Sequence, residues 1–360
     1  MSTLLSPVKL GAFSLSNRVV MAPLTRSRAS GSDGRTPNAL MGKYYTERST
    51  AGLIISEATA VTPMGVGYAN TPGIWSDAQV EGWQEITRAV HAKAGKIILQ
   101  LWHVGRISHP IFLDGELPVA PSAIAPSGHV SLLRPLTPFV VPRALELSEI
   151  EAVITAYRTG ALNAKRAGFD GVEIHGANGY LLDQFLQDGS NHRTDRYGGS
   201  LENRARLMLE VTDAVVSVWG AGFVGMHLAP RGDSHSMGDS DLLKTFGYVA
   251  SELGKRKLAF LCARESEGPD SLAPEMKKLF KGAFIANEKF TKESAETILD
   301  RQGADAVAFG KLFIANPDLV ERFRLGANLN TPIPETFYAP GAEGYTTYPS
   351  LSDIESKWSK

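Results

Sequence analysis

His175, Asn178 and Tyr180 are crowded into six residues of the stretch GVEIHGANGY, 171–180. An imidazole, a carboxamide and a phenol all hydrogen-bond, and an asparagine and a tyrosine beside a histidine suit gripping an oxygen better than coordinating a metal. A metal centre would want two or more histidines or carboxylates at coordinating spacing. Only His175 and His227 offer themselves, with Glu57 and Glu173 on apolar runs; a metal-hydrolase built on the two histidines stays open as an alternative. Acyl-transfer chemistry has less to work with. There is no G-x-S-x-G elbow, and the single cysteine, Cys262, has no obvious base near it in sequence. One cysteine also excludes an internal disulfide and a cysteine-rich zinc or iron–sulfur site.

The elements that must place these residues show as a repeat. Eight apolar runs of strand length occur: RVVMAP (18–23), GLIISEAT (52–59), KIILQLW (96–102), GVEIH (171–175), FVGMHLAP (223–230), LAFLCAR (258–264), AFIAN (283–287) and DAVAFG (305–310). Stretches with helical spacing lie between most of them. In 77–95, Val80, Trp83, Ile86, Val90 and Ala94 recur near 3.6 residues, with Asp77 as cap and Gly95 as stop. The stretch 148–168 opens on a Ser148–Glu151 capping pattern. Helices are also expected over 200–218, 240–254, 291–302 and 317–325, the last with Asn316 as cap and Pro317 as first residue.

Strands alternating with helices imply parallel pairing, and nearly continuous apolar runs imply burial on both faces. Eight such units predict an α/β fold, a (β/α)8 TIM barrel forming a single domain over residues 1–360. A doubly wound open sheet is the alternative, but no G-x-G-x-x-G follows the first strand. Residues 104–147, with seven prolines, break the repeat and read as a lid-like excursion over the barrel mouth. Residues 326–360 read as an irregular tail near the same mouth. Hydrophobic residues make up 43% of the 360 and charged ones 21%, ample for a large core, and the net charge is −1 with signs mixed. No basic block points to nucleic acid, no run approaches a membrane span, and no leader pattern opens the chain. The expectation is a cytoplasmic protein without a membrane anchor, a monomer or homodimer.

In a barrel, chemistry sits at the C-terminal ends of the strands. That rule gathers Ala22-Pro23-Leu24-Thr25-Arg26, Glu57-Ala58-Thr59, Gln100-Leu101-Trp102-His103, His175 through Tyr180, His227 with Ala229-Pro230-Arg231, Ala286-Asn287, and Gly310-Lys311. An amide such as Gln100 donates and accepts together, which suits the edge of a heterocycle. Apolar walls, an indole and a Gly-Lys phosphate anchor point to a bound aromatic cofactor.

NRVVMAPLTR, ISEAT, QLWHVGRISH, GFDGVEIHGANGYLLDQFLQDGSNHRTDRYGGSLENR, DAVAFGKLFIANPDLVERF and GYTTYPSL closely resemble the Old Yellow Enzyme family of FMN-dependent ene-reductases, in order from residue 6 to about 352. Thr25 after APL resembles the branch containing pentaerythritol tetranitrate reductase, morphinone reductase and the bacterial xenobiotic reductases. The resemblance implies one non-covalent FMN reduced by NADPH or NADH. An electron-poor alkene then enters the same site in ping-pong fashion, its carbonyl or nitro oxygen held by His175 and Asn178. Hydride goes to the β-carbon and Tyr180 protonates the α-carbon. Reduction of nitrate esters and nitroaromatics is implied as well.

By the same resemblance Thr25 bonds the flavin C4 oxygen, Gln100 reads the pyrimidine edge, and Pro23, Leu24 and Ala58 touch the ring through their backbones. Tyr68, Trp102 and Tyr345 line the substrate pocket; Asn287, Gly310 and Lys311 bind the phosphate. Arg193, Asp195, Arg196 and Arg204 are expected to form a structural network. Two positions depart from the family pattern. His227 stands where an arginine usually lies near flavin N1, and a histidine is shorter and can be neutral at pH 7. Flavin reduction is therefore expected to vary between pH 6 and 8.5 unless Arg231 or a water compensates. Lys311 stands where many relatives have arginine, and pairs with phosphate as a point charge rather than a fork.

Overall fold

The computed structural model describes residues 3–358. Eight parallel strands, each inside one of the eight apolar runs, form its centre: β1 (Val19–Met21), β2 (Leu53–Ile55), β3 (Ile97–Trp102), β4 (Val172–His175), β5 (Val224–Leu228), β6 (Phe260–Arg264), β7 (Phe284–Asn287) and β8 (Ala306–Phe309). Each pairs with its sequence neighbour, and β8 pairs with β1, so the sheet closes on itself. Val20, Ile55, Ile98, Phe260, Cys262 and Ile285 pack inside the ring. Burying a side chain of this size contributes roughly 1.5–3 kcal/mol, so the staves are rigid supports for whatever stands at their ends. Every strand residue is buried except Arg264 and Asn287, the last residues of β6 and β7. An N-terminal hairpin, Val8–Leu10 against Phe13–Leu15, closes the opposite end, with Leu10 and Phe13 joining the interior cluster.

Eight helices surround the ring: α1 (Ala39–Glu47), α2 (Asp77–His91), α3 (Leu147–Arg166), α4 (Leu201–Trp219), α5 (Leu242–Lys255), α6 (Ala273–Phe280), α7 (Lys292–Asp300) and α8 (Leu319–Leu325). Three starts differ from the sequence expectation. Ser76, not Asp77, caps α2, because its hydroxyl accepts the Gln79 N–H while the Gln79 amide accepts the Ser76 N–H. α3 begins at Leu147, and Glu149 rather than Glu151 reaches back to the Glu146 N–H at 2.8 Å. α8 begins at Leu319, after Pro317, because the Asn316 side chain is spent on Leu312 O and the Asn330 N–H. Helices α1 and α6 were not expected, nor was the tail helix Leu351–Trp358. No helix of the described residues is long and apolar enough to cross a membrane.

The excursion 104–147 packs against the mouth. Arg106 donates to the carbonyls of Ile124 and His235, and Phe139 joins the cluster of Tyr68, Trp102, Val104 and Tyr180. Arg193 pairs with Asp195 and donates to Pro121 O and Leu145 O, tying the β4 loop to the excursion, while Arg204 pairs with Asp239.

Candidate active site

The mouth of the barrel holds a cavity of about 940 Å³ to which all eight strand ends contribute. His175 ends β4, and the chain then turns out through Asn178 at φ 60° and Gly179 at φ 77°. Asparagine and glycine are the residues that tolerate this left-handed backbone. A β-carbon on Gly179 would also come within 2.8 Å of Ser234 O. Two bonds pin the turn: Gly179 N–H donates to Asp183 Oδ2 at 2.8 Å, and His235 Nδ1 to Asn178 O at 2.7 Å. The Asn178 side chain and the Tyr180 phenol thus join His175 on one wall.

That wall is held by aromatic contacts. Trp102 stacks on His175 at 6.3 Å and meets Tyr180 edge-on at 5.0 Å, and His175 meets Tyr180 edge-on at 5.0 Å between centroids. His175 Nδ1 accepts the Ala177 N–H at 3.3 Å, which leaves the proton on Nε2. Burial, with His227 and Arg264 adding, holds the His175 pKa well below its usual range, so the ring is a neutral donor. The Tyr180 hydroxyl lies 2.9 Å from that of Tyr68. Burial, together with Tyr68, pushes Tyr180 well above 10, and burial pushes Tyr68 up to about 12.

Deeper in the cavity, Gln100 Nε2 donates to Glu173 Oε2 at 2.7 Å, and His227 Nδ1 lies 3.5 Å from the same carboxylate. Both ring nitrogens of His227 and Oε1 of Glu173 are buried without a hydrogen-bond partner. Buried polar atoms are rarely left unpaired, so this end suits a polar heterocycle edge. Ala22, Pro23, Ala58 and Ala308 line the cavity with small side chains, and Leu24 and Thr25 border it. At the far end stand Gly310 and Lys311, the latter without a hydrogen bond or ion pair among the described residues. A planar ring with a polar edge, linked to an anion, fits both ends, and FMN is such a group.

Several expected residues are placed differently. Tyr345 does not line the cavity: it is fully buried and stacked on Tyr44 at 4.1 Å, with the Arg26 and Arg28 guanidiniums over its ring. Tyr338, seven residues earlier in the tail, lines the cavity instead. The reason is a strap: Arg26 donates to Phe337 O and Gly344 O, and Arg28 to Thr336 O and Phe337 O, which draws 345 into the core and leaves 338 at the mouth. Tyr68 stands behind Tyr180 rather than in the lining. Asn287 lines the cavity, but its amide is spent on Ala308 O at 2.9 Å. Arg231 is paired with Glu265 and Asp270 and does not compensate for His227.

Arg264, Glu288 and Phe290 also line the cavity and were not anticipated. Among the described residues the one group of possible metal ligands is Glu173, His227 and Cys262, which leaves out His175. Burial pushes the Cys262 thiol well up, away from the thiolate that a metal would need.

A closed barrel with small side chains, an amide and unpaired ring nitrogens around its mouth, and oxygen donors beside a phenol, fits a flavin-linked oxidoreductase. The chain belongs to the NADH:flavin oxidoreductase / NADH oxidase family, which matches residues 3–330, and within it to the Old Yellow Enzyme group. It is 41% identical to 12-oxophytodienoate reductase 7 of Oryza sativa subsp. japonica, over 98% of this chain and 96% of that one. It is 42% identical to a probable flavin mononucleotide-dependent alkene reductase of Leishmania infantum, over 97% of each. Morphinone reductase in complex with tetrahydroNAD superimposes with a TM-score of 0.93 at 50% identity, covering 97% of both chains. The Old Yellow Enzyme homologue of Zymomonas mobilis gives 0.94 at 43% identity, covering 97% of this chain and all of that one. The protein is an FMN-dependent, nicotinamide-reduced ene-reductase.

Proposed function

We propose that the substrates are electron-poor alkenes conjugated to a carbonyl or nitro group, and that His175, Asn178 and Tyr180 carry the chemistry done by the chain. The observation that supports this most is the shared wall, where two neutral donors and a protonated phenol meet. His175 Nε2–H and the Asn178 amide grip the substrate oxygen and stabilise the negative charge that develops there. Tyr180 keeps its proton at neutral pH because burial disfavours the phenolate, and gives it to the α-carbon. Tyr68, 2.9 Å away, donates a hydrogen bond to the phenolate left behind.

Gln100, His227 and Thr25 hold the flavin ring, with Pro23, Leu24 and Ala58 against it; Lys311 and the backbone at Asn287 and Gly310 hold its phosphate. FMN, when bound, accepts hydride from NADPH or NADH and supplies it to the alkene. Nitrate esters and nitroaromatics fit the same oxygen grip. We place the enzyme in the cytoplasm.

The test is an anaerobic NAD(P)H titration of the yellow holoenzyme, followed by 2-cyclohexenone. Bleaching and then return of the flavin colour is expected. Bleaching without return overturns the alkene reading. A second expectation concerns His227. His227→Arg places a permanent cation beside the Glu173 oxygen that now lacks a partner. It should raise the flavin midpoint potential by tens of millivolts, about 30 mV for each 1.4 kcal/mol, in a dye-equilibration titration; an unchanged potential removes the charge argument.

A further inference from the structure

We propose that Arg264 is a positioning residue that fixes which end of the Asn178 carboxamide faces the substrate. The proposal rests on the reading of His175 and Asn178 as the oxygen grip. A carboxamide is nearly symmetric in shape, and a half-turn about its last bond exchanges a donor for an acceptor. With the carbonyl turned inward, Asn178 would repel the substrate oxygen just as charge grows on it. The grip therefore needs something that distinguishes the two ends.

Arg264 does so by its chemistry. Its Nη1 lies 2.9 Å from Asn178 Oδ1. A guanidinium only donates, so the atom it touches must be the carbonyl oxygen. The Asn178 NH2 is left without a hydrogen bond among the described residues and borders the cavity. The guanidinium is itself held: Nε donates to Glu288 Oε2 at 2.6 Å. Glu288 adopts φ 105°, a backbone region that side-chain-bearing residues rarely occupy. Such strain persists where the surroundings hold it, and it gathers at functional sites. The relay runs Glu288 to Arg264 to Asn178, joining the ends of β7, β6 and β4 across the mouth.

Arg264 is the last residue of β6, with a side chain 38% exposed beside the cavity. Its field also reaches the two groups beside Asn178: it adds to the burial that depresses His175, and it opposes, without overcoming, the burial that raises Tyr180.

The test is a double-mutant cycle on the holoenzyme, with reoxidation of the reduced flavin by 2-cyclohexenone followed in stopped flow. Arg264→Leu is expected to slow reoxidation at least about tenfold, and Arg264→Lys to recover most of that loss, to within about threefold of wild type. In an Asn178→Ala background, Arg264→Leu should change the rate by less than about twofold, because the group it positions is gone. An unchanged rate in Arg264→Leu overturns the proposal. So does an equal loss in both backgrounds, which would put Arg264 on the substrate or on the fold. Failure of the Lys variant to recover activity, with its flavin spectrum intact, also counts against it. A wild-type enzyme that enone cannot reoxidise would instead refute the ene-reductase reading, and it is measured first.

Discussion

Phenylalanine at position 180 is expected to leave flavin reduction by NAD(P)H near the wild-type rate while slowing enone-driven reoxidation about 10²- to 10⁴-fold. The expectation follows from where the proton is kept. Burial holds it on Tyr180, and in the proposed grip the one proton of the neutral His175 ring would be engaged with the substrate oxygen. Tyr68 is one hydrogen bond further back, so it is a weak substitute. A nitroaromatic, whose reduction does not require a proton on carbon, should be affected far less by the same change. Stopped-flow traces of the two half-reactions separate these effects. Equal enone rates in Tyr180→Phe and wild type would remove Tyr180 from the role. The variant also leaves the buried Tyr68 hydroxyl without its partner, at a cost of about 1–3 kcal/mol in stability, visible as a lower melting temperature.

The second large effect belongs to the oxygen grip. Truncating His175 or Asn178 to alanine is expected to slow reoxidation by enone about 10²- to 10³-fold each. In the proposed grip the pair acts on one atom, so the double variant should lose less than the product of the two. The pH dependence has a definite sign. Burial depresses the His175 pKa, so protonation is resisted as pH falls through 6.5, where an ordinary histidine would charge. The reoxidation rate should therefore show no inflection near pH 6.5 that is assignable to His175. An inflection there that vanishes in His175→Ala would show the ring titrating normally and remove the neutral-donor argument.

Much of this was legible in the chain, for physical reasons. The staves are continuous apolar runs because they are buried on both sides, and all eight strands lie where those runs do. Chemistry follows at their ends, so His175, Asn178, Gln100 and His227 could be placed at one mouth before any coordinates. What periodicity could not settle was which of two tail aromatics reaches the cavity. Tyr338 and Tyr345 are alike in kind, and only the carbonyls bound by Arg26 and Arg28 decide between them. Arg264 had a usable signal, since it closes a strand-length run and every strand end feeds the mouth. Its partner Glu288 had none, because a positive φ at a glutamate is imposed by the assembled structure and leaves no mark in composition.

The strap between Arg26, Arg28 and the tail has a consequence for how the enzyme is made. Thr25 sits beside residues whose bonding partners lie more than 300 positions later in the chain. During synthesis the first strand and its loop leave the ribosome long before those carbonyls exist. Contacts of such separation are slow to form. The pocket would thus be among the last parts to mature, and a nascent chain stalled before residue 336 would carry most of the barrel without a finished place for its flavin.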